Sequence, residues 1–225
     1  MLDLILENGN LITMNNDNEI LLNKDIYIDE GKIIAIKETT NKKKIPDCRT
    51  KIDVTNKYLL PGFINTHTHI FQTLLRGLGA DMNVWDWFKI ALDDNVSNLN
   101  KEHCYISAKL GAMEAIRSGT TTILDFNYPH PTKSLVDECF NAFNSVGIRS
   151  IIARAIIDQG KAHPEIINNS ENEISDCIRL LEKYQQNGSD MQHVWLAPYT
   201  IFSTSLKSYR QIVKLAEEFD TFLTI

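Results

Sequence analysis

From Leu59 onward, short apolar runs alternate with helix-length amphipathic segments, and this alternation limits the possible folds more than any other feature of the sequence. Apolar runs of this kind are typical of strands that are buried on both faces, as in a parallel sheet covered by helices. The pattern therefore predicts an α/β fold, either an open doubly wound sheet or a closed (β/α)8 barrel. The predicted strands are Leu59–Asn65, Thr121–Phe126, Arg149–Ile157, His193–Ala197 and Thr221–Ile225.

Helices are predicted between these strands from apolar spacing and from residues that start or stop a helix. Ile106, Leu110 and Met113 have the i, i+4, i+7 spacing of a helix face. Ser170 and Glu173 have the spacing of a capping box. The predicted helices cover about Asn100–Ser118, Lys133–Val146, Ser170–Gly188 and Ser205–Phe219. No GxGxxG or GxxxxGK[ST] motif follows a predicted strand, so the nucleotide-binding forms of the open sheet lose their best support.

Residues 1–58 differ from the rest, because they consist of short β-type runs separated by turn residues such as Asn8-Gly9 and Glu30-Gly31. We expect a small all-β domain over 1–58 and an α/β domain over 59–225. The polar stretch 39–44, with three lysines, is predicted to be a solvated loop without a function.

Charge and composition exclude several classes of function. The chain has 225 residues, 43% of them hydrophobic, which is enough for a packed core. Its net charge of −6 provides no field for nucleic acid or anionic membrane surfaces, so we expect neither as a partner. The acidic start lacks the character of a signal peptide and no apolar run reaches the roughly 20 residues of a membrane span, so a cytoplasmic protein is expected. The four cysteines form no CxxC pair and are predicted to be reduced and mostly buried.

His67 and His69 are the strongest candidates for chemistry. Residues two apart on a strand point to the same side, so both imidazoles can approach one point at the C-terminal end of the first predicted barrel strand. Two neutral imidazoles make half of a tetrahedral zinc site. By itself an HxH pattern is a weak signal, because two histidines at the rim of a core would look the same.

The motifs around this pair carry a resemblance to a known family. LLPGFINTHTH is followed by QTLLRG, a WxWF segment, EAIRSGTTTILDF and LAPYT. This series resembles the amidohydrolase superfamily, in particular its chlorohydrolase and aminohydrolase branch, which includes triazine hydrolases and deaminases of S-adenosylhomocysteine, cytosine and guanine. The resemblance implies a (β/α)8 TIM-type barrel of which only about strands 1–5 are present, preceded by part of a small β-sandwich.

The resemblance also implies a mechanism and a cofactor. A divalent metal, zinc or iron, would be held by His67, His69 and two later residues, and metal-bound hydroxide would attack a ring carbon of a small heterocyclic substrate. The later ligands and the acid/base residues would lie beyond Ile225. We therefore expect an N-terminal fragment that is incomplete for catalysis, since the α/β part is shorter than the about 250 residues of a whole barrel. An incomplete barrel would also expose apolar surface, so a homo-oligomer is possible.

Further candidates come from the other strand ends. Gln72, Trp85, Trp87 and Tyr199 are predicted to contact the substrate, the aromatic side chains by stacking on a planar ring. Four residues at strand ends are candidates for lining the pocket, namely Asp125, Asn127, Tyr128 and Asp158. For Arg154 and Asp158, a structural ion pair between Arg154 and an acid is favoured over a role in the pocket. The other histidines, at positions 103, 130, 163 and 193, are predicted to be structural or solvated.

Several alternatives remain open on the sequence. Cyclic amide hydrolases of the dihydroorotase and hydantoinase type share the HxH pair, but their bridging lysine is absent from the strand HVWLAPYTI, which favours one metal. Zinc deaminases with HxE and PCxxC elements are excluded, because neither element occurs. The chain could also be a catalytically inactive fragment or a metal-free half-barrel that serves as a binding or scaffold module.

Overall fold

The computed structural model describes residues 1–39, 46–161 and 163–225. The chain divides into two compact units, Met1–Gly62 and Phe63–Ile225. Residues 40–44 of the loop predicted over 39–44 lie outside the described residues.

The first unit contains one five-stranded sheet. Its strands are β1 (Leu2–Ile12), β2 (Ile20–Asp29), β3 (Lys32–Glu38), β4 (Cys48–Asp53) and β5 (Tyr58–Leu59). The order is β3-β2-β1-β4, with β2 antiparallel to both neighbours and with β4 and β5 parallel to β1. Glu30 and Gly31 form the turn between β2 and β3 with positive φ angles of 47° and 72°, which is typical of a tight hairpin. That this sheet belongs to a β-sandwich stays a prediction.

The second unit is built on a four-stranded parallel sheet. Its strands are β6 (Phe63–Thr68), β7 (Thr120–Asn127), β8 (Arg149–Ile156) and β9 (Gln192–Pro198). They pair in chain order, β6-β7-β8-β9, and every pair is parallel. At the far edge, the Leu196 N–H donates to the Phe222 carbonyl (3.0 Å) and the Thr224 N–H donates to the Leu196 carbonyl (3.1 Å). Sequential order is that of a barrel, because an open doubly wound sheet reverses its order at a switch point.

Helices connect these strands. After β6 come a 3-10 turn (Ile70–Leu75), α1 (Val84–Trp87), a π-helical turn (Phe88–Asp93), α2 (Asp94–Val96) and α3 (Lys101–Arg117). Further along are α4 (Leu135–Val146), a 3-10 turn (Pro164–Ile166), α5 (Ser170–Leu180) with a π-helical continuation (Leu181–Gln186), and α6 (Leu206–Glu218). Gly147 ends α4 in the left-handed region, as its place after the helix predicts. No helix among the described residues has the length and apolar character needed to cross a membrane.

The capping box predicted at Ser170 is wrong. The N-cap of α5 is Asn169, whose side-chain oxygen accepts the Glu171 N–H at 2.7 Å. Glu173, the expected second member of the box, turns instead towards Arg154 of β8. A buried guanidinium is a stronger partner for a carboxylate than a backbone N–H at a helix start.

The apolar residues that predict α3 do not face the core of the second unit. Ile106, Leu110 and Met113 are 44%, 42% and 48% exposed. The buried face of α3 consists of small residues instead, namely Cys104, Ser107, Ala108, Gly111 and Ala112. The small residues allow close approach, since a Cβ on Gly111 would lie 2.6 Å from Cδ1 of Ile70. Helical spacing therefore identified the helix but not the face that packs.

One buried ion-pair cluster joins β8 to α5. The Arg154 side chain is 2% exposed, and its Nη1 and Nη2 donate to the two Glu173 carboxylate oxygens at 2.9 and 3.0 Å. Its Nε also donates to Asp176 at 3.2 Å. The predicted structural ion pair of Arg154 is confirmed, and both of its acids lie on α5.

The cysteines also match expectation. Cys104, Cys139 and Cys177 are buried, Cys48 is partly buried, and all of them are free thiols. Burial raises the pKa of Cys177 to about 12, so this thiol is protonated at neutral pH.

The Arg154 cluster yields a stability prediction. Glu173→Ala leaves the buried guanidinium with only one strong acidic partner, so we expect the free energy of unfolding to fall by about 3–5 kcal/mol. Urea denaturation followed by tryptophan fluorescence measures it, because Trp85, Trp87 and Trp195 all lie in the second unit.

Two further variants sharpen this measurement. Arg154→Met combined with Glu173→Leu removes both charges and is expected to cost less than Glu173→Ala alone. Glu114→Ala breaks the exposed ion pair with Arg76 and is expected to leave the urea midpoint nearly unchanged. A wild-type midpoint for Glu173→Ala would show that the cluster does not hold α5 on β8.

Candidate metal centre

His67 and His69 lie together at the C-terminal end of β6. Their ring centroids are 4.9 Å apart and the ring planes meet at 79°. His67 is exposed, and its backbone N–H donates to the Asn65 side chain at 3.1 Å. His69 is half-buried and follows directly after the last residue of β6. The structure thus places both imidazoles at one point of the sheet edge where barrel enzymes carry their active sites.

The ring of His69 is held by the neighbouring strand. Its Nδ1 lies 2.8 Å from the Phe126 carbonyl oxygen of β7. A carbonyl can only accept, so Nδ1 carries the proton of the neutral ring and Nε2 carries the lone pair. Burial lowers the pKa of His69, and the nearby His67 adds to this effect, against the opposing effect of the hydrogen bond that His69 donates to the Phe126 carbonyl. His69 is therefore held in the protonation state of a metal ligand.

The donor set of the described residues fits part of a metal site. No group of three or more His, Cys, Asp or Glu side chains within residues 1–39, 46–161 and 163–225 is arranged to hold an ion. Two converging imidazoles, one of them fixed in the ligand tautomer, match two positions of a tetrahedral zinc site. The described residues therefore suit two of the ligands and not the complete set.

Asp125 and Asn127 contact the helix layer and not the histidine rings. The Asp125 carboxylate is fully buried and accepts the Ile70 N–H at 2.8 Å and the Asn127 side-chain amide at 2.9 Å. Asn127 also contacts Cys139 of α4 at 3.7 Å. Burial raises the pKa of Asp125 to about 6 against the opposing effect of these hydrogen bonds. Phe126 lies between them on the strand and faces the other way, with its ring centroid 5.9 and 5.7 Å from those of His67 and His69.

An aromatic cluster lies beside the two histidines, in which Phe126 and Tyr128 are buried and Tyr199 is partly exposed. The Tyr128 ring centroid is 5.2 Å from that of His69 and 4.7 Å from that of Tyr199. The Gln72 side-chain amide donates to the Tyr128 hydroxyl at 3.0 Å. Burial raises the pKa of Tyr128 and of Tyr199, so both hydroxyls remain protonated donors. Two of the predicted substrate residues, Gln72 and Tyr199, are thus brought to His69 through Tyr128.

The two predicted tryptophans are placed differently. Trp85 is 77% exposed, and its ring lies 6.3 Å from that of Phe88. Trp87 packs against the hydrophobic core and lies so close to Gly79 that a Cβ there would be 2.0 Å from its Cδ1. No ring contact joins either tryptophan to the two histidines in the described part of the chain, and their contact with a substrate stays a prediction.

The remaining strand-end and histidine side chains have local partners. Asp158 accepts hydrogen bonds from the Ser205 N–H, the Ser205 hydroxyl and the Ser208 hydroxyl, each at 2.6 Å, and so fixes the start of α6. The other histidine rings contact backbone atoms of their own segments, His103 at Asn98, His130 at Asn127, His163 at Glu165 and His193 at Asp190.

The contacts of Phe126 and Ile70 are the parts of the site that sequence reasoning missed. Both act through backbone atoms, the Phe126 carbonyl on His69 and the Ile70 N–H on Asp125. A residue type says nothing about which backbone groups remain unpaired where a strand ladder ends. Only the position of Ile70, directly after the HxH pair, offered a signal.

Comparison with known proteins places the chain in a family. The model of the amidohydrolase family matches residues 58–225. The 5-methylthioadenosine/S-adenosylhomocysteine deaminase of Thermococcus kodakarensis is 30% identical over 224 residues, covering 100% of this chain and 49% of that protein. The 5'-deoxyadenosine deaminase of Methanobrevibacter smithii is 33% identical, with coverage of 93% and 48%. The chain spans about half the length of the curated relatives it matches.

Solved structures show the same fold. Atrazine chlorohydrolase from Arthrobacter aurescens, crystallised with zinc, superposes with a TM-score of 0.88 at 20% identity, covering 98% of this chain and 52% of that one. Guanine deaminase from C. acetobutylicum, crystallised with guanine, gives 0.83 at 21% identity, with coverage of 99% and 52%. The predicted fold, the first half of a (β/α)8 barrel, is confirmed by these neighbours. Together with the match over residues 58–225, this shows that the chain belongs to the amidohydrolase family.

Proposed function

We propose that this chain carries the metal-binding and ring-binding part of a zinc-dependent hydrolase that removes the amino group of a nitrogen heterocycle. The observation that carries the proposal is the His67–His69 pair, with rings 4.9 Å apart and with His69 held by Phe126 as a neutral ligand. Its place at the C-terminal end of the first strand of an amidohydrolase-family sheet supports the same role.

Zinc is the metal we propose for this site. Neutral imidazoles suit zinc, and a chlorohydrolase with the same fold was crystallised with that metal. At a site held by His67 and His69, zinc would supply a water of lowered pKa as the nucleophile for hydrolysis. Two imidazoles leave a tetrahedral ion short of ligands, so we propose that its other ligands and the proton-transfer groups come from polypeptide outside residues 1–225, which leaves this chain by itself incomplete for catalysis.

The residues of this chain orient the metal and the ring. Phe126 holds His69 through its carbonyl, while its own ring packs with Tyr128 and Tyr199 in the aromatic cluster next to the histidines. A planar heterocycle would stack on the partly exposed Tyr199 ring and exclude water from the neighbouring histidines. Gln72, whose amide group is held by the Tyr128 hydroxyl, is proposed to hydrogen-bond the ring through its free amide positions.

An aminopurine nucleoside is the substrate class best supported. The deaminases named above, which act on adenosine derivatives by their names, are 30% and 33% identical to this chain, whereas the chlorohydrolase is only 20% identical. In the proposed reaction, water adds at the amino-bearing carbon, that C–N bond breaks, and ammonia leaves. A cyclic amide hydrolase is less well supported, since β9 contains no lysine that could bridge two metals. Cytoplasmic location and homo-oligomer formation stay predictions.

Zinc binding tests the metal site. In zinc titrations of the 225-residue chain followed by NMR, we expect the imidazole signals of His67 and His69 to shift and the affinity to be weak, because the site is partial. His67→Ala and His69→Ala are expected to abolish this binding. His193→Ala is the control, because the His193 ring lies at the opposite end of a strand, where it contacts the Asp190 backbone just before β9. Wild-type zinc affinity in both His67→Ala and His69→Ala would contradict the proposed site.

Ammonia release tests the reaction. The complete enzyme, meaning this chain with the polypeptide that supplies the other ligands, is expected to deaminate one of 5'-methylthioadenosine, S-adenosylhomocysteine and 5'-deoxyadenosine. His69→Ala should remove this activity, because it deletes a ligand. A zinc-loaded complete enzyme that releases ammonia from none of these compounds would contradict the proposed substrate class.

The aromatic cluster gives a separate prediction at Tyr199, its partly exposed member. In the complete enzyme, Tyr199→Leu should raise KM about 10-fold with a smaller effect on kcat, because a base stacked on an aromatic ring contributes about 1–3 kcal/mol to binding. Tyr105→Leu, at the contact of α3 with Ser145 of α4, is the matched control and should leave KM unchanged. An unchanged KM for Tyr199→Leu would show that the substrate ring does not stack on Tyr199.

A further inference from the structure

Asp125 is a buried carboxylate without a cation. In the described ranges, no Lys, Arg or His side chain pairs with it, and its partners are the Ile70 N–H and the Asn127 amide. Burial of a carboxylate is costly unless its oxygens are hydrogen-bonded. The neighbouring helix-facing residue of the same strand, Ile123, is apolar and equally buried. Packing alone would be served better by an apolar side chain at position 125, so the carboxylate calls for a separate explanation.

The hydrogen bond from Ile70 lies where the β6–β7 ladder ends. Thr68 is the last β6 residue in register, opposite Asp125, and the register is irregular between Asn65 and Thr68. Ile70 then opens a 3-10 turn, and His69, at the cap position, makes no side-chain capping bond. Asp125 supplies the missing acceptor for the first N–H of this turn from the neighbouring strand.

Two consecutive residues of β7 therefore hold two consecutive residues of the loop. The Asp125 side chain binds the N–H of Ile70, and the Phe126 carbonyl binds the ring of His69, both at 2.8 Å. The Ile70 side chain is also enclosed, because it packs directly over Gly111 of α3. Asp125 thus fixes the backbone after His69, and the Phe126 carbonyl fixes the His69 ring.

We propose that Asp125 is a positioning residue for the metal ligand His69, acting through the Ile70 N–H to hold the His69 ring against the Phe126 carbonyl with Nε2 free. The inference deepens the proposed function and rests on it, since the ligand role of His69 belongs to that proposal. The tautomer and orientation of the ring are nevertheless properties of the metal-free chain. They are measurable whether or not zinc binds.

NMR of the 15N-labelled, metal-free 225-residue chain tests the proposal. In the wild type, His69 should show the Nδ1–H tautomer. In Asp125→Ala, we expect the His69 spectrum to shift towards the Nε2–H tautomer and the Ile70 amide to exchange about 10-fold faster, because its acceptor is gone. In Asp125→Asn, one neutral acceptor oxygen faces two donors, so the same changes should appear to a smaller extent. Zinc affinity should fall about 10- to 100-fold in Asp125→Ala, which is typical when the hydrogen-bond support of a ligand is lost.

Asp158→Ala is the matched control. The Asp158 carboxylate also accepts a backbone N–H, that of Ser205 at the start of α6, and both residues are far along the chain from His69. The variant should leave the His69 tautomer and the Ile70 exchange rate unchanged. A wild-type His69 spectrum in a folded Asp125→Ala or Asp125→Asn chain would overturn the proposal. Failure of both variants to fold would also overturn it, because Asp125 would then serve stability. Absence of zinc binding in the wild type, with the tautomer shift present, would count against the proposed function and not against this positioning role.

Discussion

The parallel pairing of β6 with β7 is the constraint on which the candidate metal centre depends. The ladder runs from Phe63 opposite Thr120 to Thr68 opposite Asp125, and it stops one residue before His69. β7 continues to Asn127, so the β7 groups beyond the end of the ladder face a loop segment that has left the sheet. The Phe126 carbonyl and the Asp125 carboxylate then bind His69 and Ile70 instead of a strand partner. The early end of one strand thus creates the contacts that hold the histidine.

Two buried charges in the helix-facing layer of the sheet have different consequences. Arg154 on β8 is surrounded by carboxylates from α5, so its charge is compensated and it ties a helix to the sheet. Asp125 on β7 is balanced only by neutral donors, and burial raises its pKa to about 6. The first arrangement fixes α5 on β8, and removing one partner would leave a buried charge uncompensated. The second keeps a costly group in place beside a proposed ligand, which is characteristic of functional regions.

Much of the fold follows from the sequence because it depends on local periodicity. Strands β7 to β9 and helices α3 to α6 lie where apolar runs and glycines predict them, with ends shifted by a few residues, whereas the predicted strand Leu59–Asn65 is divided between β5 and β6. The faces of these elements were less predictable. Ile106, Leu110 and Met113 have the spacing of a buried stripe and yet remain exposed, because the side of α3 with small residues allows closer packing on Ile70. Glu173 has the spacing of a capping box, but the Arg154 guanidinium of β8, 19 residues earlier in the chain, lies 2.9 Å from its carboxylate and takes it as a partner.

The His67–His69 pair and the parallel α/β scaffold can be identified from the sequence, because a two-residue strand period and strand–helix alternation are properties of neighbouring residues. The aromatic candidates were also visible as residue types at strand ends. Three features emerge in three dimensions alone: Tyr128 joins Gln72 and Tyr199 to His69, Trp85 is exposed to solvent, and Asp125 binds the loop after the histidines. These contacts join segments more than fifty residues apart in the chain, such as Ile70 and Asp125 with a separation of 55, and depend on backbone groups that every residue carries. Their pairing is set by where strands end in space, which no local pattern encodes.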